Sequence, residues 1–489
     1  MPVGDGDVLL RPPAPPSRVV DVAAAVRDAL AFPLAGPPLA ALVERDAQVT
    51  VVVEPPALPV PGAQLDPRPA ALATTLDELD ALGIPDERVT LLVAGGLARR
   101  AGRPELERLL PPPQARAFHG RVLVHDAAAP DLGPLVGETR VNPAVVDADL
   151  VLVVSSAESV VHGGPGALLA ACDAETIRCA ATSRSLVQAS GEPAWQLALA
   201  IETAVSARAG LLGVSLVLDH PRLAGRFRGY PHEPASLEHV ATSPFRRLYS
   251  LLPGAVRRGI LRDQHRTLAA TAAFAGLPSV AHAEALVRMI GLRGIRLAEP
   301  LDAIVVGVPW IGPHLPREPL NPITSAGLAL GHALRQWRDA FPVRQGGTLV
   351  LVHSLTRSFS HGAHGPYRLL FDELRAGGSL EDAESAASAD ARAVDAYRAG
   401  RACHPRLPFA DWAGCQPALS QLGRVIVAGS RDAVAARALG FVPSHSVSSA
   451  LDMAHGVAGS GARVGILLAP PYAPLLVGEG EASLAPTTS

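Results

Sequence analysis

Residues able to do chemistry gather at the end of one predicted buried strand. The apolar run at residues 150–154 is followed by Glu158, and then by His162 at the start of the turn His-Gly-Gly-Pro-Gly, which leads into a helix. In open α/β sheets, ligands bind where a strand ends and a glycine turn opens a helix. The N–H groups of Gly163 and Gly164 could cradle an anion, or the turn could only link strand to helix. His162 could be an acid, a base, a metal ligand or a helix cap.

Two further candidates follow other predicted strands of this half. His125 comes directly after the strand at residues 121–124, where Asp126 could orient its ring as a general base. Adjacent residues of an extended strand point to opposite faces, so a structural loop role is the alternative. Arg99 follows the strand at residues 89–94 and could pair with a carboxylate.

A third cluster lies in a polar loop of the second half. His361 and His364 have a spacing that suits a metal ion if the segment is helical, although Gly362 and Gly365 favour a loop. Arg357 precedes them and would hold a carboxylate together with Arg99 if both faced one cleft.

Composition limits the possible functions. The formal net charge of −3 gives no electrostatic argument for nucleic acid or an anionic membrane surface, and no apolar run reaches the length of a membrane span. Four scattered cysteines and the absence of a secretory signal predict a cytoplasmic protein. All 43 Lys+Arg residues are arginine, which excludes chemistry that needs a lysine amine in this chain.

Strands and helices alternate in two blocks, which predicts an α/β fold with mostly parallel sheets. In the first block, strands are predicted at 49–53, 89–94, 121–124, 150–154 and 213–218, and helices at 19–30, 68–82 and 104–110. In the second, strands are predicted at 303–308, 348–353, 425–428 and 464–468, and helices at 325–338 and 448–458. We predict two α/β domains facing a cleft: a loose proline-rich arm (1–18), an N-terminal domain (19–220), a mainly helical connector (221–299), a C-terminal domain (300–476) and a tail (477–489).

The order of these pieces resembles the nickel-dependent lactate racemase family (LarA-like). The matching pieces are VTLLVAGGLARR, VLVHDA, VNPAVVDADLVLV, AETI and GLLGVSLVLD, then LDAIVVGVP, RQGGTLVLV and GRVIVAGSRDAVAARALGF. The resemblance covers about residues 19–220 and 300–475. It implies two α/β domains around a cleft holding a nickel-pincer nucleotide joined to a lysine. It also implies an isomerase that moves a hydride at the α-carbon of a 2-hydroxy acid, with two histidines as alternating acid and base.

Most positions that match the family's functional motifs carry other residues here. Ala98 stands where the family has a histidine, beside the retained Arg99, and Pro55 and Leu58 stand near the family's aspartate and arginine, before the retained Pro59. The family's Glu-Pro-His segment is replaced by Glu158-Ser159-Val160, and its Gly-Gly-Arg-Lys turn by Gly163-Gly164-Pro165-Gly166. In the second domain, a glutamine and a lysine of the family are replaced near Thr324 and Gly327. With no lysine for the tether, we expect the nickel-pincer nucleotide to be absent, and the cofactor is otherwise unknown.

Two functions remain open from sequence. The first is a lactate racemase-like protein without nickel-pincer chemistry that binds a small carboxylate or phosphorylated ligand in the interdomain cleft. The second is a racemase or epimerase of a 2-hydroxy acid or sugar acid with an altered centre that uses His162 and the His361/His364 loop.

Overall fold

The computed structural model describes residues 7–16, 18–55, 66–253, 256–257, 260, 266–309, 319–359, 361–459, 461–468 and 473–478. Leu58, Pro59 and most of the predicted tail lie outside the described residues. The strands of the described residues are β1 (Asp7–Leu10), β2 (Val49–Val53), β3 (Val89–Val93), β4 (Arg121–Val124), β5 (Gly133–Val136), β6 (Thr139–Val141), β7 (Leu150–Ser156), β8 (Gly210–Leu218), β9 (Arg222–Leu223), β10 (Arg266–Thr267), β11 (Ala270–Gly276), β12 (Ile295–Leu297), β13 (Leu301–Gly307), β14 (Trp337–Arg338), β15 (Val343–Val352), β16 (Leu422–Ala428), β17 (Val442–Ser444), β18 (Val464–Leu467) and β19 (Leu475–Val477).

The α-helices of the same residues are α1 (Val22–Ala31), α2 (Leu39–Leu42), α3 (Arg68–Ala81), α4 (Arg103–Leu106), α5 (Pro112–Ala117), α6 (Pro143–Val146), α7 (Pro165–Leu169), α8 (Ala174–Cys179), α9 (Pro193–Ser206), α10 (Pro234–Thr242), α11 (Pro244–Leu251), α12 (Pro278–Arg293), α13 (Pro322–Ala326), α14 (Gly365–Ala376), α15 (Leu380–Ala389), α16 (Ala391–Arg398), α17 (Leu407–Leu419), α18 (Ala433–Ala438) and α19 (Val447–Ala458). A π-helix (Gly327–His332) continues α13, and 3₁₀ turns occur at Asp86–Arg88, Ala180–Thr182, Gly225–Phe227, Ala333–Arg335 and Gly362–His364. Within the described part of the chain, no helix is both long enough and apolar enough to cross a bilayer.

Two six-stranded sheets form the centres of the two domains. The N-terminal sheet has the order β11-β8-β7-β2-β3-β4, in which only β11 runs antiparallel to its neighbour. The C-terminal sheet has the order β1-β18-β13-β15-β16-β17 and is parallel throughout. The predicted α/β fold with mostly parallel sheets is therefore confirmed.

Burial on both faces explains why the apolar runs form central strands. Every residue of β2 and of β7 is buried, as parallel strands covered by helices require. Side chains alternate between the faces: Val51 and Leu91 belong to one apolar cluster, whereas Val52 and Leu92 belong to another. The sheet therefore packs against a separate apolar core on each face. Polar residues occur instead in the loops that follow its strands.

The N-terminal domain extends past the predicted boundary at residue 220. β11 pairs with β8, and α12 packs against both strands, although all of β11 and α12 falls in the predicted helical connector 221–299. β8 also begins at Gly210 rather than at the predicted residue 213. The sequence signal was weak because the run ATAAFAG has few β-branched residues.

The predicted loose arm contributes an ordered strand to the other domain. β1 pairs in parallel with β18, with Asp7 opposite Val464 and Leu10 opposite Leu467. Leu10 is buried in the core of the C-terminal domain. The first described residues of the chain therefore form one edge of the C-terminal sheet, beside β18.

Candidate functional site

A cavity of about 700 Å³ lies between the two domains. The N-terminal domain lines it with Glu54 after β2, with residues 94–99 after β3 and with His162 after β7. The chain runs from β2 outward to β3 and β4 and later returns to β7 on the other side of β2. The carboxyl ends of β2 and β7 therefore flank a switch point, which is where open α/β sheets bind ligands. We call this cavity the cleft.

A carboxylate and an imidazole meet at this switch point. The Nδ1 atom of His162 lies 3.3 Å from the Oε1 atom of Glu54, although the two residues are 108 positions apart in sequence. The backbone N–H of Gly163 donates a hydrogen bond of 2.6 Å to Oε2 of the same carboxylate. When Nδ1 carries the proton it donates to Glu54, and Nε2 of the neutral ring is then a proton acceptor.

The surroundings of His162 favour its charged form. Burial within the cleft lowers the pKa, but the hydrogen bond to Glu54 and the negative charges of Glu54 and Glu158 outweigh it, so that the pKa rises above its ordinary value. The side chain is 53% exposed, and this exposed surface faces the cleft. His162 is therefore an acid or base that a ligand in the cleft can reach.

The glycine turn is held by a histidine beneath it. His282 is fully buried, with its Nε2 atom donating to the carbonyl of Ser159 at 2.9 Å and its Nδ1 atom 3.2 Å from Ser215 Oγ. A Cβ atom on Gly164 would lie 2.3 Å from the Cβ of His282, and Gly164 has a φ of 50°. The N–H of Gly164 donates to Ser155 Oγ, so the N–H groups of both turn glycines bind this chain's own oxygens.

The C-terminal domain supplies a second histidine to the cleft. His332 ends the π-helix, and its Nε2 atom lies 2.7 Å from Nε2 of Gln336. Because the amide nitrogen can only donate, His332 Nε2 accepts this bond and the ring is neutral. Burial, assisted by the charges of His162, Arg335 and Arg293, lowers the pKa of His332 to about 3.

A buried guanidinium lies next to this histidine on the cleft wall. Arg335 is 6% exposed, and its Nη1 atom donates a long hydrogen bond of 3.3 Å to the carbonyl of Gly331. Its Nε atom has no hydrogen-bond partner, and no ion pair among the described residues includes it. Burial lowers its pKa to about 10, despite the negative charges of Glu192 and Asp411 at longer range. A buried charge without a close counterion is costly, so this group is suited to an anionic ligand.

Asp411 adds to the cleft a carboxyl group whose pKa is raised. Burial raises its pKa to about 6, although the Tyr367 hydroxyl, which donates at 2.6 Å, and the charge of Arg335 oppose this rise. Asp411 lines the cleft from α17. It can therefore be protonated when a negative ligand approaches Arg335.

The sequence-predicted residues of the N-terminal half divide between the cleft and its surroundings. Arg99 lines the cleft, but its Nη2 atom pairs with Glu105 at 2.6 Å. Glu158 lines a small neighbouring cavity of about 90 Å³ and pairs with Arg293 at 3.5 Å, while burial raises its pKa. His125 is buried outside the cleft, where Nε2 donates to the Cys172 carbonyl at 2.8 Å and burial lowers its pKa to about 4.

The predicted residues of the second half lie away from the cleft lining. Arg357 pairs with Asp432 at 2.6 Å on a separate shallow pocket, so it does not join Arg99. His361 precedes a 3₁₀ turn and His364 ends it, with their ring centroids 6.3 Å apart, and Nδ1 of His361 accepts the N–H of Ala363. Among the described residues, no group of three or more histidine, cysteine or acidic side chains is placed to hold a metal ion.

Four residues of the cleft were missed by sequence reasoning: Glu54, His332, Arg335 and Asp411. Glu54 ends a clearly predicted strand, but its partner comes from a distant loop, and only the sheet order brings them together. The others lie in apolar helical stretches, where a single polar residue gives no sign of which side of the helix faces a cavity.

Residues 6–164 match the lactate racemase N-terminal domain family. The lactate racemase apoprotein from Thermoanaerobacterium thermosaccharolyticum is similar in structure, with 14% sequence identity, a TM-score of 0.58, and coverage of 96% of this chain and 94% of that one. A protein from Thermotoga maritima is also similar, with 12% identity, a TM-score of 0.51, and coverage of 94% of this chain and 100% of that one. At these identities the structural likeness concerns the fold. A search of curated protein sequences finds no match.

Proposed function

We propose that the cleft of this chain, whose residues 6–164 match the lactate racemase N-terminal domain family and whose fold is similar to that of a lactate racemase apoprotein, binds a small carboxylate or phosphorylated ligand without nickel-pincer chemistry. The single observation that carries the proposal is Arg335, a buried guanidinium on the cleft wall that lacks a close carboxylate of the described residues. An anion that pairs with it would recover the free energy lost on burying the charge.

The residues of the chain do not fit the tethered cofactor that the family resemblance implies. The sequence contains no lysine, and the turn matching the family's lysine-bearing segment is Gly163 to Gly166. A side chain at Gly163 or Gly164 would collide with His282, and one at Gly166 would collide with the backbone of Val161. This packing supports a cleft that works without a covalently attached pyridinium.

The test is binding of sodium L-lactate, sodium D-lactate and inorganic phosphate to the purified protein, measured by calorimetry. We expect at least one of these anions to bind, and Arg335→Gln to weaken that binding about tenfold or more, since hydrogen bonds to charged groups contribute about 1.5–3 kcal/mol. Arg437→Gln, on an exposed helix position, is the matched control. The ligand-free Arg335→Gln variant should be at least as heat-stable as the parent protein, because the buried charge is gone.

Two results would overturn this proposal. One is anion binding that is unchanged in Arg335→Gln. The other is stoichiometric nickel together with interconversion of D- and L-lactate by the purified protein.

A second candidate function is racemisation or epimerisation of a 2-hydroxy acid or sugar acid with an altered centre. The observation that favours it is the presence of His162 and His332 on walls contributed by different domains. His162 could give a proton to a ligand from its charged ring and take one back at Nε2, whereas His332 could accept a proton only after Gln336 releases its Nε2 atom. Exchange of the α-hydrogen of L-lactate with solvent deuterium, abolished by His162→Gln, would support this alternative.

A further inference from the structure

The cleft is larger and more apolar than a three-carbon acid requires. Leu97 and Ile177 of the N-terminal domain and Leu328, Leu407 and Ala410 of the C-terminal domain line it, and these five pack in one continuous apolar cluster. Cavities of several hundred Å³ bury ligands much larger than lactate, and most of their affinity comes from apolar contact.

The charged groups of the cleft suit a ligand with a single negative charge. Three guanidinium groups line it (Arg99, Arg108 and Arg335), against five carboxyl groups (Glu54, Asp66, Glu105, Glu107 and Asp411). Since Arg99 is already paired with Glu105, Arg335 is the buried cation left to meet an anion. A polyphosphate would face more negative than positive side chains.

We propose, on the basis of the function proposed above, that the natural ligand is an amphipathic organic acid. Its carboxylate pairs with Arg335 near His162, and its apolar chain or ring of six or more carbon atoms lies against the Leu97–Leu328–Leu407 wall. The ligand therefore bridges both domains, with its charge at one end of the cleft and its apolar part on the shared cluster.

A glycine in the cleft allows a clean test. Gly327 lines the cleft, has an ordinary helical φ of −54°, and a Cβ built there meets no atom within 4 Å. Gly327→Phe should place a ring in the apolar cavity from a backbone position where a Cβ atom fits, and a larger residue also favours the helical backbone. Gly291→Phe is the matched control, because Gly291 is exposed on α12 and its Cβ also meets nothing within 4 Å.

The experiment measures the dissociation constants of acetate, butyrate, hexanoate and octanoate by calorimetry. Each buried methylene should tighten binding about fourfold, so burial of all six methylenes that separate acetate from octanoate gives about 4,000-fold, and burial of four of them already gives more than about 100-fold. Gly327→Phe should reduce the ratio of octanoate to acetate affinity to less than about tenfold, and Gly291→Phe should leave that ratio unchanged. Arg335→Gln should weaken all four acids by a similar factor.

The outcomes separate this inference from the function on which it rests. If acetate binds through Arg335 but octanoate binds no more tightly, the ligand is small and the inference is overturned while the anion site stands. Length dependence that persists in Gly327→Phe, with that variant folded by circular dichroism, also overturns it. If Arg335→Gln leaves the binding of every acid unchanged, the anion site itself fails.

Discussion

The Glu54 carboxylate contacts both His162 and Gly163, and its negative charge favours the protonated form of His162. One oxygen meets His162 Nδ1 and the other accepts the N–H of Gly163. A fixed carboxylate beside an imidazole selects one ring tautomer and stabilises the cation. The chemistry available to His162 therefore depends on a residue from a different strand.

Replacing Glu54 by glutamine should lower the pKa of His162. The amide keeps the size of the side chain but removes the negative charge that raises this pKa, and the lowering effect of burial remains. NMR titration of the His162 ring would measure the change, with Glu107→Gln at the cleft rim as the control. An unaltered pKa in Glu54→Gln would contradict the assigned ion pair.

The raised pKa of His162 determines how the stability of the protein and its binding of carboxylates should change with pH. Because the folded-state pKa of His162 lies above the ordinary value, its contribution to stability is fully present below about pH 6.5 and is lost as the pH rises through the folded pKa. Carboxylate binding should weaken over the same interval, since the neutral ring no longer attracts an anion.

At the residue scale, sequence reasoning found His162 and Arg99 but could not assign their partners. Arg335 and His332 stand in the run GLALGHALR, which was predicted as one ordinary helix. Whether such a polar residue faces water or a cavity depends on packing against the other domain. That information is absent from local spacing.

At the scale of elements, the turn after β7 is the most constrained part of the site. Gly163 and Gly164 have φ values of 81° and 50°, and His282 packs directly beneath them. The turn positions both His162 and the N–H group that binds Glu54. Glycine is required here for two independent reasons, its backbone conformation and the space beneath it.

Gly164→Ala should destabilise the protein by about 2 kcal/mol more than Gly137→Ala. Both glycines have a φ near 50°, but a Cβ on Gly137 meets nothing within 4 Å, whereas one on Gly164 meets His282. Gly164 also has a ψ of −129°, a combination with positive φ that alanine rarely adopts. Urea unfolding of the two variants would measure the difference. Equal losses would show that His282 moves aside freely.

Element prediction succeeded where a run of β-branched or leucine residues has sharp ends, both in the fully buried strand β2 and in the partly exposed edge strand β4. The predicted bounds of β2 and β4 match the observed strands, because their β-branched and leucine residues are broken sharply by proline, glycine or polar residues. The helix predicted at 325–338 is instead α13, a π-helix and a 3₁₀ turn in succession. A π-helix often marks a functional site, and here it carries His332 into the cleft.

At the scale of the whole molecule, buried contacts join the domains on one side of the cleft. The Tyr397 hydroxyl accepts the N–H of Ala127 at 3.1 Å and donates to the carbonyl of Gly96 at 3.2 Å. Arg178 and Glu384 form two hydrogen bonds across the same boundary, at 2.8 and 3.1 Å. Because Gly96 lines the cleft, Tyr397 connects the second domain to the ligand site.

Tyr397→Phe should reduce the free energy of unfolding by about 1–3 kcal/mol, since the N–H of Ala127 and the Gly96 carbonyl lose a buried partner. We also expect weaker binding of octanoate, because the loop at Gly96 is no longer held by the other domain. Chemical unfolding and calorimetry would test both effects against Tyr249→Phe, whose single bond of 3.4 Å lies in the connector. Unchanged stability and unchanged binding would contradict this role.

The pairing of β1 with β18 sets the order in which the molecule can be completed during translation. Asp7 leaves the ribosome hundreds of residues before its neighbour Val464. At about 5–20 residues per second, β1 waits roughly 20 to 90 seconds with Leu10 exposed. The C-terminal sheet can close only after nearly all of the described chain has emerged, which is later than the emergence of every residue that lines the cleft.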